Sequence, residues 1–66
     1  MKTVGQLLKE ARQEQKMELS DISRVTRIRE SFLNAIEADD YQRLPSGAVA
    51  YGFIRNYGEY LNIKPY

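Results

Sequence analysis

The chain has 66 residues, no Cys, no His and a formal net charge of +1, which excludes a disulfide framework and the usual zinc sites. A chain this short buries only about 60% of the surface its unfolded form exposes, so it makes one domain whose core rests on apolar packing alone. No apolar run is long enough to span a bilayer or act as a signal peptide, since Met1-Lys2-Thr3-Val4-Gly5 turns polar at once, and the lack of Cys fits an intracellular compartment.

The charge is uneven. Met1 to Arg29 holds seven basic and four acidic residues, and Glu30 to Tyr66 three basic and five acidic ones. Any basic face therefore belongs to the first half, while the whole is far from the strongly basic balance of many nucleic-acid-binding domains.

Thr3 and Gln6 have the spacing of a capping box, which predicts a first helix from there to about Gln15. Val4, Leu7, Leu8 and Ala11 recur at i, i+3, i+4 and i+7, an apolar stripe with Lys9, Glu10, Arg12, Gln13 and Glu14 on the other faces. A second, short helix is predicted from Leu19 to Thr26, with Leu19, Ile22 and Val25 three apart and Asp21 in the first turn complementing the helix dipole. The third, Arg29 to about Ala38, offers Phe32, Leu33 and Ile36 to a core and ends where Asp39-Asp40 breaks the pattern. Tyr41 and Leu44 are expected to pack down within a connector, where Pro45 holds Leu44 out of helical geometry. Ser46 is a good N-cap for a fourth helix over Gly47 to Leu61 that ends before Pro65. Gly47, Gly52 and Gly58 each cost that helix about 0.5–1 kcal/mol relative to Ala, so it depends on tertiary packing.

Only Arg27 and Ile28 separate the second and third helices, and Ile22, Ile28, Leu33 and Ile36 fall where a recognition helix is held across its support. Spacing alone fits a helix-turn-helix and a generic small bundle equally. A longer string decides between them: Met17-Glu18-Leu19-Ser20-Asp21-Ile22 through Thr26-Arg27-Ile28-Arg29, then Phe32-Leu33-Asn34-Ala35-Ile36-Glu37, Leu44-Pro45 and Gly52-Phe53-Ile54-Arg55-Asn56-Tyr57. Over nearly the whole chain this resembles the N-terminal cytoplasmic domain of the RodZ family of bacterial cell-shape proteins. The resemblance implies an all-α, small helix-turn-helix bundle of the lambda-repressor-like type, related to the Xre/Cro group, with an additional C-terminal helix that binds the actin-like protein MreB. It also implies a chain that continues past Tyr66 to a transmembrane helix and sits at the cytoplasmic face of the inner membrane. The departures are Leu19 where the repressor-like pattern often has Gln, Arg27 in place of a tight-turn Gly, Val49 where RodZ-like chains often have an aromatic, and Tyr51 where they have a basic residue.

A DNA reader would use the outward positions of the third helix, with Arg29 pairing to guanine and Asn34 to adenine, and with Arg27 and Ser31 beside them. Glu30, Glu37, Asp39 and Asp40 on or next to that helix would face phosphates, whereas affinity for DNA comes largely from basic groups. On the fourth helix, Ala50, Ile54, Tyr57 and Leu61 form the inward stripe, and Val49, Phe53 and Tyr60 lie together on its flank. Its apolar arc is wider than packing in a small bundle needs, and aromatics beside an Arg are favoured at protein interfaces. The resemblance places the MreB contact on this helix, which on this chain gives Val49, Phe53, Arg55, Tyr57 and Tyr60 as partner-binding residues, with Phe53 the anchor.

Catalysis is not expected. There is no His or Cys, Asp39-Asp40 falls at a helix end in a stretch expected to be exposed with no base or nucleophile near it, and Gly47, Gly52 and Gly58 are scattered along one helix rather than gathered in a phosphate-cradling loop. The expected protein is thus a cofactor-free, non-catalytic adaptor with MreB as its partner, DNA the alternative, no small-molecule substrate, and a membrane tie only outside these residues.

Overall fold

The computed structural model describes residues 1–63; Pro65 and whatever lies past Tyr66 fall outside them. Its elements are α1 (Val4–Glu14), α2 (Leu19–Thr26), α3 (Glu30–Glu37), a short 3-10 turn (Tyr41–Arg43) and α4 (Gly47–Tyr60). Each helix lies within one residue of its expected limits, and side-chain bonds mark the starts of α1 and α2. At the start of α1 the Gln6 amide donates to Thr3 Oγ1 at 3.1 Å, and the Thr3 amide donates to Gln6 Oε1 at 2.9 Å. The α2 start is tied by the Glu18 amide donating to Asp21 Oδ2. Ser46 precedes α4 as expected, yet its side chain makes no capping bond; its carbonyl accepts from the Val49 and Ala50 amides instead.

The helix-turn-helix core consists of Ile22, Ile28, Leu33 and Ile36, all buried. Leu8 enters it from α1, and Tyr57 and Leu61 from α4. Burying side chains of this size is worth about 1.5–3 kcal/mol each, so these few residues carry the stability of a domain with no covalent staple.

Three apolar positions expected inside are outside. Leu7 is 44% exposed and Val25 52%, because the inward arc of each helix is displaced from the one read off the chain. In α1 it includes Gly5 and Arg12 as well as Leu8, and turns Leu7 to solvent. Tyr41 is exposed too and donates its hydroxyl to Asp39 at 2.7 Å, while Leu44 packs on the core as expected, in extended geometry.

Gly5 is buried against the end of α3. A Cβ at that position would overlap the backbone carbonyl of Ile36 and lie 2.8 Å from that of Glu37, so only glycine lets α1 come this close. Asp39 secures the same seam: with φ 57° it turns back to accept hydrogen bonds from the Gly5 amide (3.1 Å), the Thr3 hydroxyl and the Tyr41 hydroxyl. The Asp39-Asp40 pair is therefore half-buried and occupied, rather than the exposed stretch its sequence suggests.

Candidate functional site

The inner side of α4 is committed to the fold. Tyr57 is completely buried, Leu61 nearly so, and Ala50 and Ile54 are half-buried. Tyr57 donates its hydroxyl to Glu37 Oε2, and Glu37 in turn is held by Arg12, whose Nε and Nη2 donate to Oε2 at 2.7 Å and Oε1 at 3.0 Å. Arg12 Nη1 also donates to the Met17 carbonyl at 2.9 Å. The cluster leaves no buried side-chain polar atom unpaired among the described residues. Glu37 at the Arg12 guanidinium raises the arginine further above its usual range, and burial, then the bond to Glu37, pushes the Tyr57 phenol well above its ordinary value. Tyr57, among the residues assigned to the partner surface, therefore presents no surface of its own: it is fully buried against Glu37. Arg12, read as part of an outer face, is in fact inside, because its bidentate carboxylate partner is brought to it by α3.

The flank of α4 is different. Val49 is 45% exposed and Tyr60 37%, and Tyr51 is exposed on the neighbouring side. Phe53 straddles the boundary: half-buried, it packs against the core and stacks on Phe32 with ring centroids 5.6 Å apart and planes 29° from parallel. Arg55 is exposed and only loosely paired with Glu59, at 3.9 Å one turn on. Of the five α4 positions singled out in the sequence, Val49, Phe53 and Tyr60 thus form one continuous apolar margin, Arg55 stands off it, and Tyr57 is removed from it.

The second surface is the α2–α3 corner. Arg27, Arg29, Ser31 and Asn34 are all exposed, and neither Arg27 nor Arg29 has an ion-pair partner among the described residues. Arg27 caps α2 with φ 62° and ψ 26°, left-handed geometry that glycine would adopt without strain. Glu30 follows in the first turn of α3, where it suits the helix dipole but opposes a phosphate.

The Arg12–Glu37–Tyr57 cluster and the Gly5 seam were not visible in the chain. A faint signal existed for each: a glycine early in a good helix stripe, and a Glu on α3 only one residue beyond Ile36, near the edge of its apolar face.

A protein family described as a helix-turn-helix domain matches residues 7–66. The solved structure of YmfM from Staphylococcus aureus, described as a candidate DNA-binding membrane protein, superposes with a TM-score of 0.90 at 38% identity, covering 97% of this chain and 78% of that one. The cytoskeleton protein RodZ of Streptococcus pneumoniae is 38% identical over 56 residues, which are 85% of this chain and 20% of that protein's length. The match to nearly every residue of the chain, together with these two relatives, places it in the helix-turn-helix domain family, as a domain of the RodZ type.

Proposed function

We propose that this domain is the binding module of a cytoskeletal adaptor, which docks the actin-like protein MreB on the outward flank of α4 and carries out no catalysis. The observation that supports this most is the contrast across one helix: its inner stripe is saturated, while Val49 and Tyr60 remain exposed beside Phe53. Apolar and aromatic groups left together at a surface mark protein contacts, and the relative from Streptococcus pneumoniae is named a cytoskeleton protein. Binding would cover Val49, Tyr60 and the open edge of Phe53, with Arg55 turning from Glu59 to an acidic group of the partner. Full-length membrane attachment would come from a segment outside these residues, since no described helix is long and apolar enough to cross a bilayer.

The test is a titration of labelled domain with purified MreB from the same organism, followed by amide NMR. Losses or shifts should centre on residues 49–60. Because Phe53 also packs on Phe32, Tyr60→Ala is the cleaner variant: it should weaken binding by about 2 kcal/mol, roughly thirtyfold in Kd, with the helical circular dichroism unchanged. Unaltered affinity would put the contact elsewhere.

A second reading, DNA binding through Arg27, Arg29, Ser31 and Asn34, draws support from the exposure of all four and from the description of YmfM. It predicts duplex binding that falls steeply with salt and amide shifts confined to residues 24–34, whereas MreB binding should respond to salt only weakly.

A further inference from the structure

α4 poses a packing problem that apolar burial alone does not solve. Its apolar arc runs from Val49, Phe53 and Tyr60 on the flank through Ala50, Ile54, Tyr57 and Leu61 on the inner stripe. The hydrophobic effect has no direction, so a helix this widely apolar can bury comparable area at more than one rotation, and neighbouring residues are about 100° apart around the axis. Each rotation would leave a different face outside. Directed bonds between buried groups discriminate among such rotations more sharply than apolar contact does.

Those bonds exist. The Tyr57 hydroxyl reaches Glu37 on α3, which is locked by two bonds to Arg12 of α1; Glu37 and Arg12 side chains are only 5% and 13% exposed. At the far end, Gln15 Nε2 donates to the Leu61 carbonyl at 3.0 Å. Turning α4 by one residue would withdraw the Tyr57 hydroxyl and strip the buried carboxylate of one of its bonds. Tyr57 lies one turn after Phe53 and three residues before Tyr60, so whatever holds Tyr57 also determines which way that flank points.

We infer that Arg12, Glu37 and Tyr57 are positioning residues for the α4 contact surface: the buried ion pair sets the rotation of α4, and with it the exposure of Val49, Phe53 and Tyr60, without touching the partner. The inference rests on the α4 reading of the function. It differs from a purely structural role because a buried ion pair is a poor source of stability: apolar residues of similar volume often replace one with no loss. What such a replacement gives up is direction.

The experiment compares Arg12→Met/Glu37→Leu/Tyr57→Phe with Tyr60→Ala, reading thermal unfolding, amide NMR and MreB affinity on each. The triple variant should unfold at or above the parent temperature, show displaced or broadened α4 amides with α2–α3 amides retained, and bind MreB about tenfold more weakly, the loss of one good interface contact. A stable triple variant that binds like the parent overturns the inference. If it fails to fold, Tyr57→Phe alone serves, since it keeps the ring and removes one bond: several-fold weaker binding with shifted α4 amides supports the inference, and unchanged affinity overturns it. If Tyr60→Ala binds normally as well, it is the α4 surface that has failed, and the two failures are thereby distinguished.

Discussion

Two joints of this small bundle each hold a charged residue in left-handed geometry, Asp39 and Arg27, and use its side chain in opposite ways. Where α1 meets the end of α3, Gly5 removes the Cβ that would collide with the Ile36 and Glu37 carbonyls, and Asp39 adopts a left-handed turn to bond the first turn of α1. Where α2 meets α3, the left-handed position is held by Arg27, exposed and without an ion-pair partner among the described residues. The first joint is optimised for close approach. The second retains a charge at the expense of backbone comfort, and such a position suits a surface better than a core.

The largest expected effect lies next to the first joint. Glu37→Ala leaves the Arg12 guanidinium buried without its carboxylate, which should destabilise the domain by about 3 kcal/mol or more; urea unfolding followed at 222 nm measures it. A loss well under that would mean that solvent reaches Arg12 freely and that the cluster is less closed than its burial indicates. Gly5→Ala comes next. The new methyl meets backbone rather than a yielding side chain, so α1 must move, at about 2–3 kcal/mol, somewhat offset by alanine's better helix propensity. An alanine variant as stable as the parent would show that α1 yields readily at this seam, and the contrast between the joints would disappear.

The reasons these features were hidden in the chain are physical. Period and caps report on one helix at a time, so the ends of α1 to α4 and the four core residues Ile22, Ile28, Leu33 and Ile36 were legible. In α2, with only eight residues, the stripe fixes a direction to no better than one residue's rotation, which is how Val25 was placed inside. Arg12 reads as outward because a lone arginine rarely enters a core; its partner lies 25 positions away, and nothing local announces it. On α4 both the margin formed by Val49, Phe53 and Tyr60 and the inward place of Tyr57 can be read from the helical projection, whereas the acceptor of the Tyr57 hydroxyl, Glu37 on α3, cannot.

A pH series sharpens the same comparison, because the first joint titrates. The bond from Thr3, with those from Tyr41 and the Gly5 amide, holds the Asp39 carboxyl below its ordinary value of about 3.9. A depressed folded pKa means stability that is present above the unfolded value and lost as pH falls through the lower folded one. Partial desolvation, then the bond to Asp39, pushes the Tyr41 phenol up to about 12, so its contribution is complete below the ordinary value near 10 and is lost as pH rises toward 12. Asp39→Asn should flatten the acid limb of a stability-versus-pH curve, and Tyr41→Phe the alkaline limb. An acid limb of equal steepness in Asp39→Asn would move the titrating group elsewhere.

The smallest effect belongs to Arg27, and it has the opposite sign. Glycine reaches φ 62° without the Cβ clash that burdens arginine, while its unfolded chain is more flexible and the favourable charge at the α2 C-terminus is lost. The balance favours Arg27→Gly by about 0.5 kcal/mol, which for a domain of this size raises Tm by about 2–4 °C. If MreB docks on α4 as proposed, its affinity should not change, because Arg27 stands at the end of α2 rather than on α4. If duplex DNA binds, the same variant should bind it less tightly and lower the salt slope by about one phosphate contact. Stability gained together with DNA affinity lost would explain why a charge occupies a glycine position; stability gained with neither partner affected would leave Arg27 as strain that no measured contact requires.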